Sequence, residues 1–342
     1  MHALVLIEPG EEPSVALKEV GSPALGPHDV LVEVAACGFC YHDVAVMRGV
    51  LRRGVKPEVV LGHEISGRVA ETGSAVTTVA AGDTVVAALT IFCGECSRCR
   101  QGSEYRCLSG KGVGHGVDGG FAQMVALPET SVVAVPQGLR PEDSALLACP
   151  IGVALRAFED VARLKSGETV LVTGAGGGLG VHAVQVASAL GARVLAVTTS
   201  PQKVEPLEGL AVAEVVLAGE LDYSEIVMAL TEDNGVDVVF DTVGSAIFRS
   251  NLASLAQFGR MVLLGEITGG RASISPAEIL FRDATIVGST GAERRHIQRA
   301  AEMVASGLVR PVISRKFALA DAVEAYRLMR DRQTFARVVL VP

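Results

Sequence analysis

The sequence has no excess of positive charge. Its 30 Lys and Arg stand against 38 Asp and Glu, a formal net charge of −8, and no basic stripe runs along it. That balance argues against a nucleic-acid partner, which needs clustered cations. No apolar run approaches the roughly 18–20 residues that span a bilayer, so no membrane segment is expected. The N-terminus has no basic n-region and carries Glu8, Glu11 and Glu12 instead. A secretory signal is therefore not expected, and the chain reads as cytoplasmic. Internal repeats and low-complexity tracts are absent too. What is present is globular material: 49% hydrophobic and 20% charged over 342 residues, enough for a large core and two domains.

The texture of the chain changes along its length. The first 150 residues or so read as short strands at 3–7, 30–35, 66–71, 84–88, 122–126 and 132–135, separated by Gly-Pro, Gly-Asp and Asp-Gly-Gly turns. A helical stretch over about 141–163 leads out of this mostly β region. From about Thr169, strands at 169–173, 193–198, 213–217, 236–241, 260–264 and 285–289 alternate with helical patterns such as 223–233 and 246–258. Alternation of that kind predicts an α/β class with a parallel, doubly wound sheet. Two further helical stretches follow residue 290, and 335–341 reads as a closing strand that returns to the first domain. The expected division is 1–150 with 290–342 for one domain and 151–289 for the other.

The stretch 170–190 organises the second domain. A β-branched run ends in Gly174-Ala175-Gly176-Gly177-Gly178-Leu179-Gly180, and an Ala/Val-rich helical pattern follows. Read as G-x-G-x-x-G it fits Ala175, Gly177 and Gly180, with alanine in the first slot. Such a strand–turn–helix lets backbone approach a pyrophosphate at a helix N-terminus.

Seven cysteines could suggest disulfides, but their spacing favours metal or catalysis. Cys93, Cys96, Cys99 and Cys107 lie on one short loop and suit the closed tetrahedral sphere of a structural zinc. An iron–sulfur cluster would use the same ligands. Cys40, His63-Glu64 and Cys149 are dispersed, and spacing alone does not join them. Read singly, a His in Leu-Gly-His-Glu and a Cys in Leu-Ala-Cys-Pro are ordinary packing residues.

Taken together, Cys-Gly-Phe-Cys-Tyr-His-Asp (37–43), Leu-Gly-His-Glu (61–64), the four-cysteine loop, the glycine turn, Phe-Asp-Thr-Val-Gly (240–244) and Ala-Arg-Val-Val-Leu-Val (336–341) resemble the zinc-containing medium-chain dehydrogenase/reductases. This is the alcohol dehydrogenase superfamily; Cys40-Tyr41-x-Asp43, with Val197-Thr-Thr-Ser and Asp241-Thr-Val-Gly, also looks similar to its acryloyl-CoA reductase-like members. The resemblance covers nearly the whole length. It implies a GroES-like catalytic domain interrupted by a Rossmann domain, with the active site in the cleft between them. It makes Cys40, His63 and Cys149 ligands of a catalytic zinc, Glu64 the neighbour able to enter its sphere, and Asp43 the acid holding the ligand histidine. Two zinc ions per chain are implied. Gly174, Ala175, Gly177, Gly178, Leu179, Gly180, Thr242, Val243 and Gly265 would line the nucleotide, and Arg337 would meet its pyrophosphate. Strand 285–289 is a candidate edge for pairing copies into a homodimer or homotetramer. Tyr41, Val50, Leu51 and Leu89 would wall an apolar pocket.

Two departures carry information. His42 stands where relatives usually place the Ser or Thr that relays the alcohol proton; an imidazole can also relay one. After the second strand of the glycine unit, where an NAD enzyme would carry an acid, the chain reads Thr198-Thr199-Ser200-Pro-Gln-Lys203. Hydroxyls and a lysine favour a 2′-phosphate, hence NADP(H) over NAD(H); the same hydroxyls could instead cap a helix starting near Pro201. The expected activity is zinc-dependent hydride transfer between NADP(H) and a small carbonyl or alcohol substrate. One alternative is NADPH-dependent reduction of an activated C=C bond in an enone or enoyl thioester. Another is a non-catalytic NADPH-binding protein.

Overall fold

The computed structural model describes residues 1–219 and 222–342. They form two compact units: Met1–Gly152 with Gly291–Gly307 and Pro311–Pro342, and Val153–Thr290 with Leu308–Arg310. The first unit opens with strands β1 (His2–Glu8), β2 (Ser14–Glu19), β3 (Asp29–Phe39), β4 (Glu64–Thr72), β5 (Thr84–Ala87), β6 (Thr90–Ile91), β7 (Lys111–Gly112), β8 (Met124–Pro128) and β9 (Val132–Ala134). The second contributes β10 (Thr169–Thr173), β11 (Arg193–Thr198), β12 (Glu214–Leu217), β13 (Val236–Asp241), β14 (Leu255–Leu263) and β15 (Thr285–Gly288). The chain ends in the first unit with β16 (Ile313–Ala318) and β17 (Arg337–Val341).

Seven strands of the first unit make one sheet in the order β16-β17-β3-β4-β5-β9, with β8 also on β3. The apolar run of β3 explains its central place: Glu33 alone is exposed along its length. The closing strand β17 pairs with it, Val338 opposite Phe39 and Leu340 opposite Cys37. Phe39, Leu61, Ile65, Phe121, Val338 and Leu340 are buried in the core of this unit, where the Phe39 and Phe121 rings meet edge-on at 5.1 Å. Each such side chain removed from water contributes about 2 kcal/mol.

The second unit is a six-stranded parallel sheet in the order β12-β11-β10-β13-β14-β15. In chain order this is 3-2-1-4-5-6, the doubly wound arrangement the alternating pattern predicts. Its core gathers Leu171, Leu195, Val239 and Met261 from four successive strands.

Several local expectations shift. The helical stretch 141–163 is α-helix at Pro141–Ala145 and Val153–Arg156, with π-helical turns at Leu147–Gly152 and Ala157–Ala162. Pro150 sits inside the first π turn and removes a backbone donor there. Helix 246–258 stops at Ala253, and β14 begins at Leu255 rather than 260. Phe258, with φ 62°, is incompatible with helix at the place where the apolar pattern would continue it. Strands β2 and β16 carry little sequence signal, because Ser14–Glu19 and Ile313–Ala318 mix polar with apolar residues. Among the described residues no helix is long and apolar enough to cross a membrane.

Candidate functional site

The first constellation is assembled entirely within the first unit. Cys40 immediately precedes the helix Tyr41–Met47, His63 the strand β4, Glu64 begins that strand, and Cys149 lies in the π turn around Pro150. One ligand atom from each of Cys40, His63, Glu64 and Cys149 lies within 4.8 Å of the others. The Cys40 and Cys149 sulfurs are 4.0 Å apart. A tetrahedral zinc with Zn–S bonds of about 2.3 Å needs sulfurs about 3.8 Å apart, so the pair fits that ion.

Asp43 holds this arrangement from behind. Its carboxylate is fully buried and accepts from Cys40 N at 2.8 Å and from Gly62 N at 3.3 Å. His63 Nδ1 donates to the same carboxylate at 3.2 Å, which leaves Nε2 turned to the sulfurs. Burial opposes charge on His63, but Asp43 and Cys40 outweigh it and raise its pKa well above the usual imidazole value. The hydrogen bond from Cys149, then Arg337 and His63, hold the Cys40 thiol well below its usual range. Cys149, donating that bond and buried, is pushed up. Two thiol sulfurs and an oriented imidazole are the donor chemistry a divalent cation selects.

Glu64 is the fourth member. Its Oε1 lies 3.8 Å from His63 Nε2 and 3.0 Å from Arg337 Nη2. Burial pushes its carboxyl up to about 7, against the pull of Arg337. Gly38 faces it across the β3–β4 pair, and a Cβ there would collide with Glu64 Oε2. The structure therefore gives Arg337 a partner the sequence reading did not foresee. The guanidinium is buried, faces Glu64 and reaches the Phe39 carbonyl at 3.4 Å. The contacts of the Arg337 guanidinium within the chain include this ion pair and that carbonyl.

His42 and an unforeseen residue, His115, form the outer part of the cluster. His42 Nε2 is 3.2 Å from His115 Nδ1, and the His42 ring stands edge-on to His63 with centroids 5.1 Å apart. Burial, then the His63 charge, push His42 down to about 4. Burial lowers His115 as well. Nothing in the Gly-His-Gly context of 114–116 marks His115 in the sequence. Of the expected pocket walls, Tyr41 and Leu51 pack on the core, whereas Val50 is exposed.

The second cysteine set closes on itself. Sulfur–sulfur distances are 3.5 Å for Cys93–Cys107, 3.5 Å for Cys96–Cys99, 3.9 Å for Cys96–Cys107 and 4.0 Å for Cys93–Cys99. All four are free thiols. Backbone N–H groups of Cys93 and Cys96 point at Cys107 and Cys93 sulfurs, each at 3.4 Å, which suits thiolates. The four sulfurs match a tetrahedral zinc with no position left for substrate.

In the second unit the glycine turn joins β10 to the helix Gly180–Ala189. Gly174 has φ 62°, and a Cβ on it would collide with Thr242 Oγ1. Ala175 is buried and donates its N–H to the Val197 carbonyl at 3.0 Å. Gly177, Gly178 and Leu179 complete the turn, where His182 donates to the Gly178 carbonyl at 2.7 Å. Strand β11 ends on Thr198, followed by Thr199 and Ser200. Thr198 Oγ1 accepts from Ser200 N at 3.2 Å, and Ser200 Oγ donates to Gln202 at 2.9 Å. The Lys203 side chain lies against Gly176. Thr242 and Val243 follow β13, and Gly265 packs against the Thr242 carbonyl.

The alcohol dehydrogenase GroES-like domain matches residues 26–137, and the zinc-binding dehydrogenase domain matches residues 178–306. The chain belongs to this family of zinc-binding dehydrogenases, and is a medium-chain dehydrogenase/reductase enzyme. It is 35% identical over 332 residues to an acryloyl-coenzyme A reductase of Metallosphaera sedula, covering 97% of both chains. It is 32% identical over 351 residues to an NAD-dependent alcohol dehydrogenase of Saccharolobus solfataricus, covering 100% of both. A solved chain from Sinorhizobium meliloti, described as a zinc-binding dehydrogenase bound to NADP, superposes with a TM-score of 0.87 at 31% identity, covering 100% of this chain and 99% of that one.

Proposed function

We propose that this enzyme transfers hydride between NADP(H) and a carbonyl or alcohol carbon, with one zinc at Cys40, His63 and Cys149 and a second at Cys93, Cys96, Cys99 and Cys107. The observation that carries the reading is the convergence of Cys40, His63, Glu64 and Cys149, from three separate parts of the chain, within 4.8 Å. When bound, the zinc supplies a Lewis acid to the substrate oxygen and the nicotinamide supplies or accepts the hydride. The chain's own residues do the rest. Asp43 fixes the His63 tautomer so that Nε2 faces inward. Arg337 holds Glu64 beside the thiols while balancing its charge.

The nucleotide is NADP(H) on the argument that β11 ends in Thr198, Thr199 and Ser200 without an acid, with Lys203 across the glycine turn. No carboxylate at that strand end would repel a 2′-phosphate. The local bonds of Thr198 and Ser200 are compatible with this, since a hydroxyl that donates to one group still accepts from or reaches another. The units correspond on this reading to a catalytic domain at 1–150 and 290–342 and a nucleotide domain at 151–289. The edge position of β15 supports assembly into a homodimer or homotetramer. Free thiols clustered for metal rather than paired as disulfides support a cytoplasmic setting.

A second reading has one observation behind it. The relay position carries His42, whose Nε2 is engaged with His115 rather than offering a hydroxyl. The Metallosphaera sedula relative is named an acryloyl-coenzyme A reductase. Reduction of a C=C bond conjugated to a carbonyl would use the same metal and nucleotide with no alcohol proton to relay. NADPH consumption across aldehydes, ketones, enones and enoyl thioesters separates the readings. Turnover of aldehydes or ketones supports the first, and turnover of enones or enoyl thioesters alone supports the second. No turnover with fewer than about two zincs per chain would leave a non-catalytic nucleotide-binding protein.

A further inference from the structure

The order of the parallel sheet reverses between β10 and β13, which are neighbours. In such sheets the crevice for a nucleotide opens at the carboxyl ends of those two strands. Thr173 ends β10, Asp241 ends β13, and the two are register partners. Both are fully buried. Asp241 Oδ1 accepts from Thr173 Oγ1 at 2.9 Å, from Val243 N at 2.9 Å and from Gly244 N at 3.1 Å. Thr242 Oγ1 donates back to the Thr173 carbonyl at 2.8 Å. The backbone adds a third turn, because Leu264 N donates to the Asp241 carbonyl at 2.8 Å and Ile267 N to the Val243 carbonyl at 3.0 Å.

One carboxylate thus joins the glycine turn, the Thr242-Val243 turn and, through the backbone, the turn at Gly265. A buried carboxylate bonding only to neighbours in the fold is costly unless its geometry matters. Its second oxygen, Oδ2, has no hydrogen-bond partner, and neither has the nearby Asn251 Nδ2. Asn251 Oδ1 is held by the Tyr223 hydroxyl at 2.5 Å. Burial pushes the Asp241 carboxyl up, opposed by the Val243 and Gly244 N–H groups and by the Thr173 hydroxyl. Three donors converge on Oδ1 while Oδ2 receives none, so the bonds that Asp241 makes are those that fix the nucleotide-facing turns.

We propose that Asp241 is the positioning residue of the nucleotide crevice: through Thr173 it fixes the spacing of the two turns on either side of the switch in strand order, and so sets affinity for the dinucleotide. The inference rests on the nucleotide reading above. It concerns a residue that touches neither metal nor substrate, so its effect falls on nucleotide binding and leaves the hydride step alone.

The test uses the full-length zinc-loaded enzyme. Without tryptophan in the sequence, nicotinamide fluorescence reports NADPH and NADH binding without protein emission on top of it. Asp241→Asn keeps the shape but replaces the charged acceptor of three hydrogen bonds by a neutral one and sets its NH2 at the Oδ2 position, beside the Asn251 amide. It is expected to weaken NADPH binding by about tenfold, with the KM for NADPH rising in step and kcat changed less than about threefold. Thr173→Val removes one bond and is expected to cost about threefold in affinity, with Thr173→Ser restoring it. The double variant is expected to be no weaker than Asp241→Asn alone, because both changes break one connection. NADPH affinity within twofold of wild type in both single variants, whatever the change in Tm, overturns the proposal; so does a double variant in which the two losses multiply. Equal losses for NADH and NADPH are expected, since the turns face the part both share. A wild type that prefers NADH overturns only the 2′-phosphate reading, while a wild type that binds neither overturns the nucleotide reading and this inference together.

Discussion

Replacing Asp43 by Asn tests the proposed metal centre at the point where the protein, not the ion, would set the geometry. The buried carboxylate accepts three donors: Cys40 N on one oxygen, Gly62 N and His63 Nδ1 on the other. An amide of the same shape has one acceptor. If its oxygen keeps Gly62 and His63, its NH2 confronts the Cys40 N–H. If it turns the other way, the NH2 confronts His63, and the imidazole loses the partner that fixes its tautomer. Either way a buried donor is left facing a donor, at about 1–3 kcal/mol. Loss of such a supporting carboxylate typically lowers metal affinity 10–100-fold, or about 1.4–2.7 kcal/mol. Zinc per chain measured against rising chelator is the assay, with the Tm of each protein beside it. The variant is expected to release one zinc at a chelator concentration about 10–100-fold lower than wild type, while the second ion stays. If both zincs leave wild type and variant at the same chelator concentration, Asp43 does not support a metal ligand and the centre is misread.

Four further outcomes are expected. Cys99→Ser should leave one zinc per chain and lower Tm by several degrees, read by metal analysis and thermal unfolding, since the ion closes a loop with little core of its own. Lys203→Ala should reduce kcat/KM with NADPH by about tenfold and with NADH by less than twofold, measured in one assay with the nucleotide varied. Gly38→Ala should displace Glu64 and destabilise by about 1–3 kcal/mol or more in denaturant unfolding, because the added methyl meets a buried carboxylate on the paired strand. Glu266 accepts from Ser245 N at 2.8 Å, from Thr268 N at 3.0 Å and from Gly269 N at 2.9 Å. Its slight burial opposes ionisation, but the Ser245 and Thr268 donors win and hold the carboxyl down to about 2. A depressed folded pKa adds stability that is complete above the ordinary glutamate value and is lost as pH falls toward about 2. Wild type should therefore lose more stability than Glu266→Gln between those limits; parallel acid-unfolding curves would refute the assignment.

Features confined to neighbouring residues were legible from the sequence. The four-cysteine loop is local, so spacing alone brings Cys93, Cys96, Cys99 and Cys107 near one another. The strand–turn–helix at 169–189 is local too, and its glycines report the turn directly. Legibility failed where a pattern had two continuations. Residues 255–258 extend a helical apolar pattern, yet they lie in β14, where Leu255 pairs with Val236 of β13 and the positive φ at Phe258 excludes helix. It failed also for β16, an edge strand whose polar residues have no buried face to declare them.

The sequence by itself determined the alternation that winds the second sheet, the turn chemistry, and which residue types are available to hold a metal. Cys40, His63 and Cys149 became one constellation from sequence only through resemblance, since nothing in their spacing brings them together. Tertiary structure decided the partnerships between distant residues: Glu64 with Arg337, His42 with His115, and Thr173 with Asp241. A sequence carries periodicity and local turn preference, which act over a few residues. A buried charge is assigned its partner by where strands far apart in the chain end up side by side, and that is a property of the packed sheet alone.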